Sequence, residues 1–145
     1  MTDDGFQAGG IDHVELSVPD RYKAADWYNE ALGLEIVEEF EHWAKLSAYP
    51  LMISSDGGDT MLALFKGSPS NRSGGFQRVA FETSGTKFLQ FRDRLGSISN
   101  IDAARARNVT DFGSAYSVFF SDPYCHSFEL TTYDYDYVDD RLKNR

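Results

Sequence analysis

Two stretches of the chain alternate apolar and polar positions in the same rhythm. Ile11-Asp12-His13-Val14-Glu15-Leu16-Ser17-Val18 and Phe76-Gln77-Arg78-Val79-Ala80-Phe81-Glu82-Thr83 each read as a half-buried strand. Each runs into a segment of helical pattern, residues 22–28 in one case and 88–92 in the other. An internal repeat of this size sets the plan of the molecule before any motif is consulted. It also puts His13 and Arg78 at matching positions.

The pattern predicts a first strand over 11–18, broken by Pro19-Asp20. Asp20 is placed to cap a helix over 21–32 that carries Ala24, Trp27, Tyr28 and Leu32 on one face, and Gly33 closes it. A meander follows, with a second strand over 34–40 and a third over 43–49, extendable to 53. The Asp56-Gly57-Gly58-Asp59 turn leads to a fourth strand over 61–65. Residues 67–75 are rich in Gly, Ser, Pro and Asn and read as a linker.

The second half repeats the plan. It has a strand over 76–83, a helix over about 87–95, a strand over 116–121, the turn Asp122-Pro123-Tyr124-Cys125 and a strand over 128–133. Residues 96–113 are the least patterned, and 101–107 fit either a helical turn or an irregular strand. Tyr133, Tyr135 and Tyr137 alternate with aspartates as an edge strand or an ordered arm would. The termini, 1–9 and 138–145, read as loose.

Strand–helix–three strands, twice, is an α+β arrangement: two βαβββ modules, residues 10–66 and 76–135, within one domain overall. Each mixed, mostly antiparallel sheet is expected to curl with its helix outside. Two such sheets enclose a cup into which every second side chain points.

Charge narrows the partners. Asp and Glu number 23 against 14 Lys and Arg, for a formal net charge of −9, which disfavours a nucleic-acid partner. No apolar run reaches membrane-spanning length and no signal peptide is visible, so a cytoplasmic protein is expected. The single Cys125 cannot form an internal disulfide and has no activating neighbour in sequence.

Three marks in order give the repeat a family likeness. They are Ile11-Asp12-His13-Val14-Glu15-Leu16, then Trp27-Tyr28-Asn29-Glu30-Ala31-Leu32-Gly33-Leu34, and finally Phe120-Ser121-Asp122-Pro123 with Phe128-Glu129-Leu130. Over about residues 10–135 the chain resembles the vicinal oxygen chelate superfamily, which includes glyoxalase I, fosfomycin- and bleomycin-resistance proteins and extradiol dioxygenases. The resemblance implies metal ligands on the first and last strands of each half. Those positions hold His13 and Glu129, but also Arg78 and Ala63. Cys125 stands where the family usually has glycine.

A divalent first-row metal (Fe, Mn, Ni or Zn) needs several N or O donors, and an open site usually keeps three protein ligands. His13 and Glu129 supply two, and a guanidinium offers no lone pair. His42 and His126 are the remaining imidazoles. Two readings lead, and a purely structural or regulatory dimer is a third. In one, a glyoxalase- or dioxygenase-like enzyme uses His13 and Glu129 in catalysis on a small oxygenated substrate. In the other, no cofactor is used, and an antibiotic-type binding protein pairs Arg78 with Glu129 where the metal would be. Arg78, Trp43 and Tyr116 are the expected small-molecule contacts. Tyr116, Phe119 and Phe120 also read as ordinary strand residues, and Trp43 equally as core. His13 fits a hydrogen-bonded core position as well as a site, and Glu15 reads as a rim residue on its face. A C2 homodimer is expected.

Overall fold

The computed structural model describes residues 5–67 and 77–144. Apart from Gly67, the expected linker lies outside the described residues, as does Phe76. The chain divides into two compact units, Met1–Ser70 and Asn71–Arg145.

In the first unit, β1 (His13–Val18) runs into α1 (Arg21–Leu32). The Asp20 side chain accepts from the Lys23 N–H at 3.1 Å, and so satisfies an orphan donor of the first turn. At the other end Gly33 turns left-handed, with φ 70°. Its N–H donates to the Asn29 carbonyl, while Leu34 donates to Tyr28. Helix α1 buries Ala24, Ala25, Trp27, Tyr28 and Ala31, whereas Leu32, expected on that face, is only half-buried. β2 (Glu35–Ile36), β3 (Leu51–Ser54) and β4 (Met61–Lys66) complete a sheet ordered β1–β4–β3–β2. β1 is parallel to β4 and the other pairs are antiparallel.

The meander differs from expectation between β2 and β3. The second strand shrinks to two residues, and the expected third strand begins instead as a 3₁₀ helix, Glu38–Lys45. The cause is legible in the spacing. Val37, Phe40 and Trp43 recur every third residue, the period at which 3₁₀ side chains eclipse, rather than every second. All three pack on Met52, Met61 and Ala63. The loop after it is held by the Arg21 guanidinium, which donates to the carbonyls of Ala44, Leu46 and Tyr49.

The second unit repeats the topology. β5 (Val79–Glu82), α2 (Gly85–Asp93), α3 (Ala103–Arg107), β6 (Thr110–Asp111), β7 (Tyr116–Ser121) and β8 (Ser127–Thr132) build a sheet ordered β5–β8–β7–β6, with β5 parallel to β8. The weakly patterned segment therefore contains a 3₁₀ turn, a short helix and a short strand. One face packs an aromatic core: Phe91 lies 5.3 Å from Phe120, which lies 5.8 Å from Phe128.

The tail, expected as an edge strand or an ordered arm and then as loose over 138–145, is instead largely helical. Residues Tyr135–Lys143 form α4, with Val138 fully buried. Tyr135, Val138 and Leu142 share a helical stripe that the Tyr-Asp alternation hides. Gly85 is the glycine this docking requires: a Cβ there would stand 2.7 Å from Tyr137 and 2.9 Å from Asp134, and its N–H donates to Asp134 at 2.7 Å.

The two registers are equivalent. Glu15 pairs with Ala63 in the first unit, and Ala80 with Glu129 in the second. Matching His13 to Arg78 also matches Ala63 to Glu129. The fold is thus α+β, two βαβββ units each with a four-stranded mixed sheet. Among the described residues no helix is long and apolar enough to cross a membrane.

Candidate ligand site

Strand register decides which side chains share a face. In the first unit His13, Glu15, Met52, Met61 and Ala63 stand together, on the side away from the Leu51, Ile53, Leu62 and Leu64 row. Trp43 comes to this face from the 3₁₀ helix and stacks on Phe40 at 4.6 Å. An apolar lid therefore covers the middle of the face, and Ala63 is fully buried beneath it. His13 remains at the exposed margin. Its Nδ1 lies 2.7 Å from the Asp12 carboxylate and its Nε2 3.2 Å from that of Glu15. These two hydrogen bonds, Asp12 first, raise the His13 pKa above its ordinary value. When protonated, the imidazolium donates from both nitrogens.

In the second unit the equivalent face is polar. Glu129 on β8 is directly opposite Phe119 on β7, and the Arg78 guanidinium lies over the Phe119 ring at 4.4 Å. Ser117 is buried and touches two neighbours: its Oγ is 2.8 Å from a Glu129 carboxylate oxygen and 2.9 Å from the Thr131 hydroxyl. Only residues 112–115 join β6 to β7, whereas residues 37–50 join β2 to β3. The second unit thus has no segment in that connection long enough to form a lid.

Of the expected contacts, Arg78 and Glu129 share this face, and His13 and Trp43 share the matching face of the other unit. Tyr116 does not belong with them. It sits one residue out of phase with Ser117 and Phe119, stacks on Tyr135 of α4 at 4.8 Å, and donates to Asp139 at 2.5 Å. That bond raises the Tyr116 pKa and lowers that of Asp139, so the pair anchors α4. His42 is exposed on the 3₁₀ helix with its ring edge toward Trp43. His126 is turned to Asp122, with Nδ1 2.6 Å from that buried carboxylate. Ser117 and Thr131 were not among the expected residues.

The donor set tests the implied metal. Of the four equivalent positions, one is a guanidinium and one a methyl side chain, and the His13 nitrogens are both engaged by carboxylates. Among the described residues no group of three or more His, Cys, Asp or Glu is arranged to hold a metal ion. The residues present do not fit a metal of the kind the resemblance implies.

Two βαβββ units of equivalent register, with charged and hydroxyl side chains on the sheet face away from the helix, define the class of protein. The family model described as the Glyoxalase/Bleomycin resistance protein/Dioxygenase superfamily matches residues 10–130, and the chain belongs to this, the vicinal oxygen chelate, superfamily. It is similar to Glyoxalase 1 of Caenorhabditis briggsae, at 29% identity over 129 residues. That match covers 83% of this chain and 44% of the relative, so the chain spans less than half of that protein's length. Among solved structures it resembles the fosfomycin resistance protein FosX of Mesorhizobium loti, with TM-score 0.64, 19% identity, and coverage of 94% of this chain and 99% of that one. FosX of Listeria monocytogenes, solved with Mn(II) and sulfate, superposes with TM-score 0.61 at 16% identity, over 94% and 99% of the two chains. The oxidase ChaP-H2 gives TM-score 0.62 at 18% identity, over 87% and 94%. At these identities the structural likeness concerns the fold.

Proposed function

We propose that this protein binds a small oxygenated molecule on the polar face of the second sheet, with Arg78 and Glu129 acting in place of a metal. The observation that carries the reading is the Arg78 guanidinium stacked on Phe119, the residue opposite Glu129. A guanidinium over a ring face gains from the cation–π contact, and the guanidinium fork matches the geometry of a carboxylate or phosphate. Glu129 supplies an acceptor beside it, and Phe119 an apolar wall. This combination of an aromatic surface with a few fixed polar groups suits a small-molecule site. His13 holds the equivalent position in the first repeat, with Trp43 on the same face of that unit. An enzyme reading gives Glu129 or His13 the proton-moving role. The binding reading needs neither to titrate, and it is preferred because the fixed cation occupies a ligand slot. The working state proposed is a cytoplasmic C2 homodimer, testable by light scattering in solution.

Chelator-treated protein, titrated with a panel of small carboxylates and phosphates, should bind at least one of them. Arg78→Ala should abolish that binding with little change in the melting temperature. Binding that persists in Arg78→Ala contradicts the reading. Arg78→His removes the fixed cation and adds a donor, so it should gain affinity for Zn(II) or Mn(II).

A further inference from the structure

Ser117 is 1% exposed, yet it carries a hydroxyl on the face proposed above to meet the ligand. Buried hydroxyls are kept where they have partners, and both of its partners are known: the Glu129 Oε2 at 2.8 Å and the Thr131 Oγ1 at 2.9 Å. A hydroxyl has one proton to donate. The charged carboxylate is the stronger acceptor, so the Ser117 proton goes to Glu129. The Thr131 hydroxyl is then free to donate to the Ser117 oxygen. It also lies 3.3 Å from the Tyr116 carbonyl, a longer contact. The result is a chain of hydroxyls ending on the carboxylate, in which Ser117 donates to Glu129 and Thr131, with the Tyr116 carbonyl as its second acceptor, supports Ser117.

We infer that Ser117, supported by Thr131, is a positioning and specificity residue. It orders the Glu129 carboxylate as a pure acceptor, so that the site selects a ligand carrying a hydroxyl donor next to an anionic group. This rests on the ligand face proposed above. The Arg78 edge takes the anion. Glu129 has one oxygen committed to Ser117 and presents the other to a donor. A hydroxy acid satisfies both groups, whereas the same acid without its hydroxyl leaves Glu129 facing an apolar methyl. A partly buried acceptor left unpaired is costly, which turns an added hydroxyl into discrimination.

In the first repeat the corresponding row is apolar. By register Ser117 corresponds to Pro50 and Thr131 to Phe65, and Ala63 takes the place of Glu129. The hydroxyl chain therefore belongs to the one sheet that has a carboxylate to orient.

The test uses the full-length, chelator-treated protein and two matched probes, glycolate and acetate, followed by amide chemical-shift titration. Wild type should bind glycolate about tenfold more tightly than acetate, the discrimination of a single charge-assisted hydrogen bond. Ser117→Ala should bring the two affinities together by weakening glycolate while acetate stays. Ser117→Thr, which keeps the hydroxyl, should restore the preference. Thr131→Val preserves strand shape and should reduce the preference partially, which keeps the test decisive if Ser117→Ala folds poorly. If glycolate does not bind, or binds independently of Arg78 and Glu129, the ligand face itself fails and the inference with it. If binding requires Arg78 and Glu129 but the preference is unchanged in Ser117→Ala and Thr131→Val, the inference alone is overturned.

Discussion

The two repeats share a strand order and a register, and they treat the same sheet face in opposite ways. In the first, Phe40 and Trp43 close over Met52, Met61 and Ala63. In the second, Arg78, Phe119, Glu129, Ser117 and Thr131 leave a polar surface. Charge divides as well. Residues 1–70 hold 13 Asp and Glu against 4 Lys and Arg, and residues 71–145 hold 10 against 10. The whole net charge therefore lies in the first unit, and an anion approaching Arg78 meets a balanced second unit. The duplicated module keeps its backbone, packs one copy of the face and leaves the other polar, the face proposed for recognition.

Exchanging the equivalent residues gives the largest expected contrast. Ala63→Glu puts a carboxylate under the Phe40–Trp43 lid and should destabilise by about 3–5 kcal/mol, the cost of an uncompensated buried charge. Glu129→Ala, at the matching place, should change stability by about 1 kcal/mol or less while removing ligand binding. Urea unfolding of the two variants measures both, and similar losses would erase the distinction between the faces.

The second repeat alone carries α4, and its fit against Gly85 is tight. Gly85→Ala should cost about 1–3 kcal/mol by pushing Tyr137 and Asp134 outward, and thermal melting reads the loss. The turns of the two hairpins differ too. The first places glycines at positive φ, Gly57 at 75° and Gly58 at 99°, whereas the second places Cys125 at 72°. Cys125→Gly should therefore stabilise by about 1 kcal/mol or less, because glycine avoids the left-handed penalty but loses more chain entropy.

The smallest effect separates His13 from Arg78, a titrating cation from a permanent one. Asp12 and Glu15 raise the folded pKa of His13 above 6.5. Its contribution is complete below 6.5 and is lost as the pH rises through the folded value. The urea midpoint of wild type should fall slightly across that window, and His13→Gln should remove the slope.

Much of the fold was legible because its signals are local. Alternation marks β1 and β5, an apolar run after a glycine turn marks β4, and Asp20 and Gly33 mark both ends of α1. The segment 37–50 was misread because a period of three lies between the strand and α-helix templates. α4 was misread because tyrosines alternate with aspartates over a helical stripe. The site was legible in part. Arg78 and Glu129 stand out as charges within apolar strands, while the run Tyr116-Ser117-Val118-Phe119-Phe120 conceals its phase. Counting across the hairpin from Glu129 reaches Phe119 and then Ser117, and turns Tyr116 to the other side. Only the pairing register supplies that parity.

Elemental analysis of the full chain, expressed in metal-supplemented medium and then dialysed, tests the guanidinium-for-metal substitution most directly. The account predicts no stoichiometric Fe, Mn, Ni or Zn. One metal ion per chain, lost on mutating His13, would contradict it.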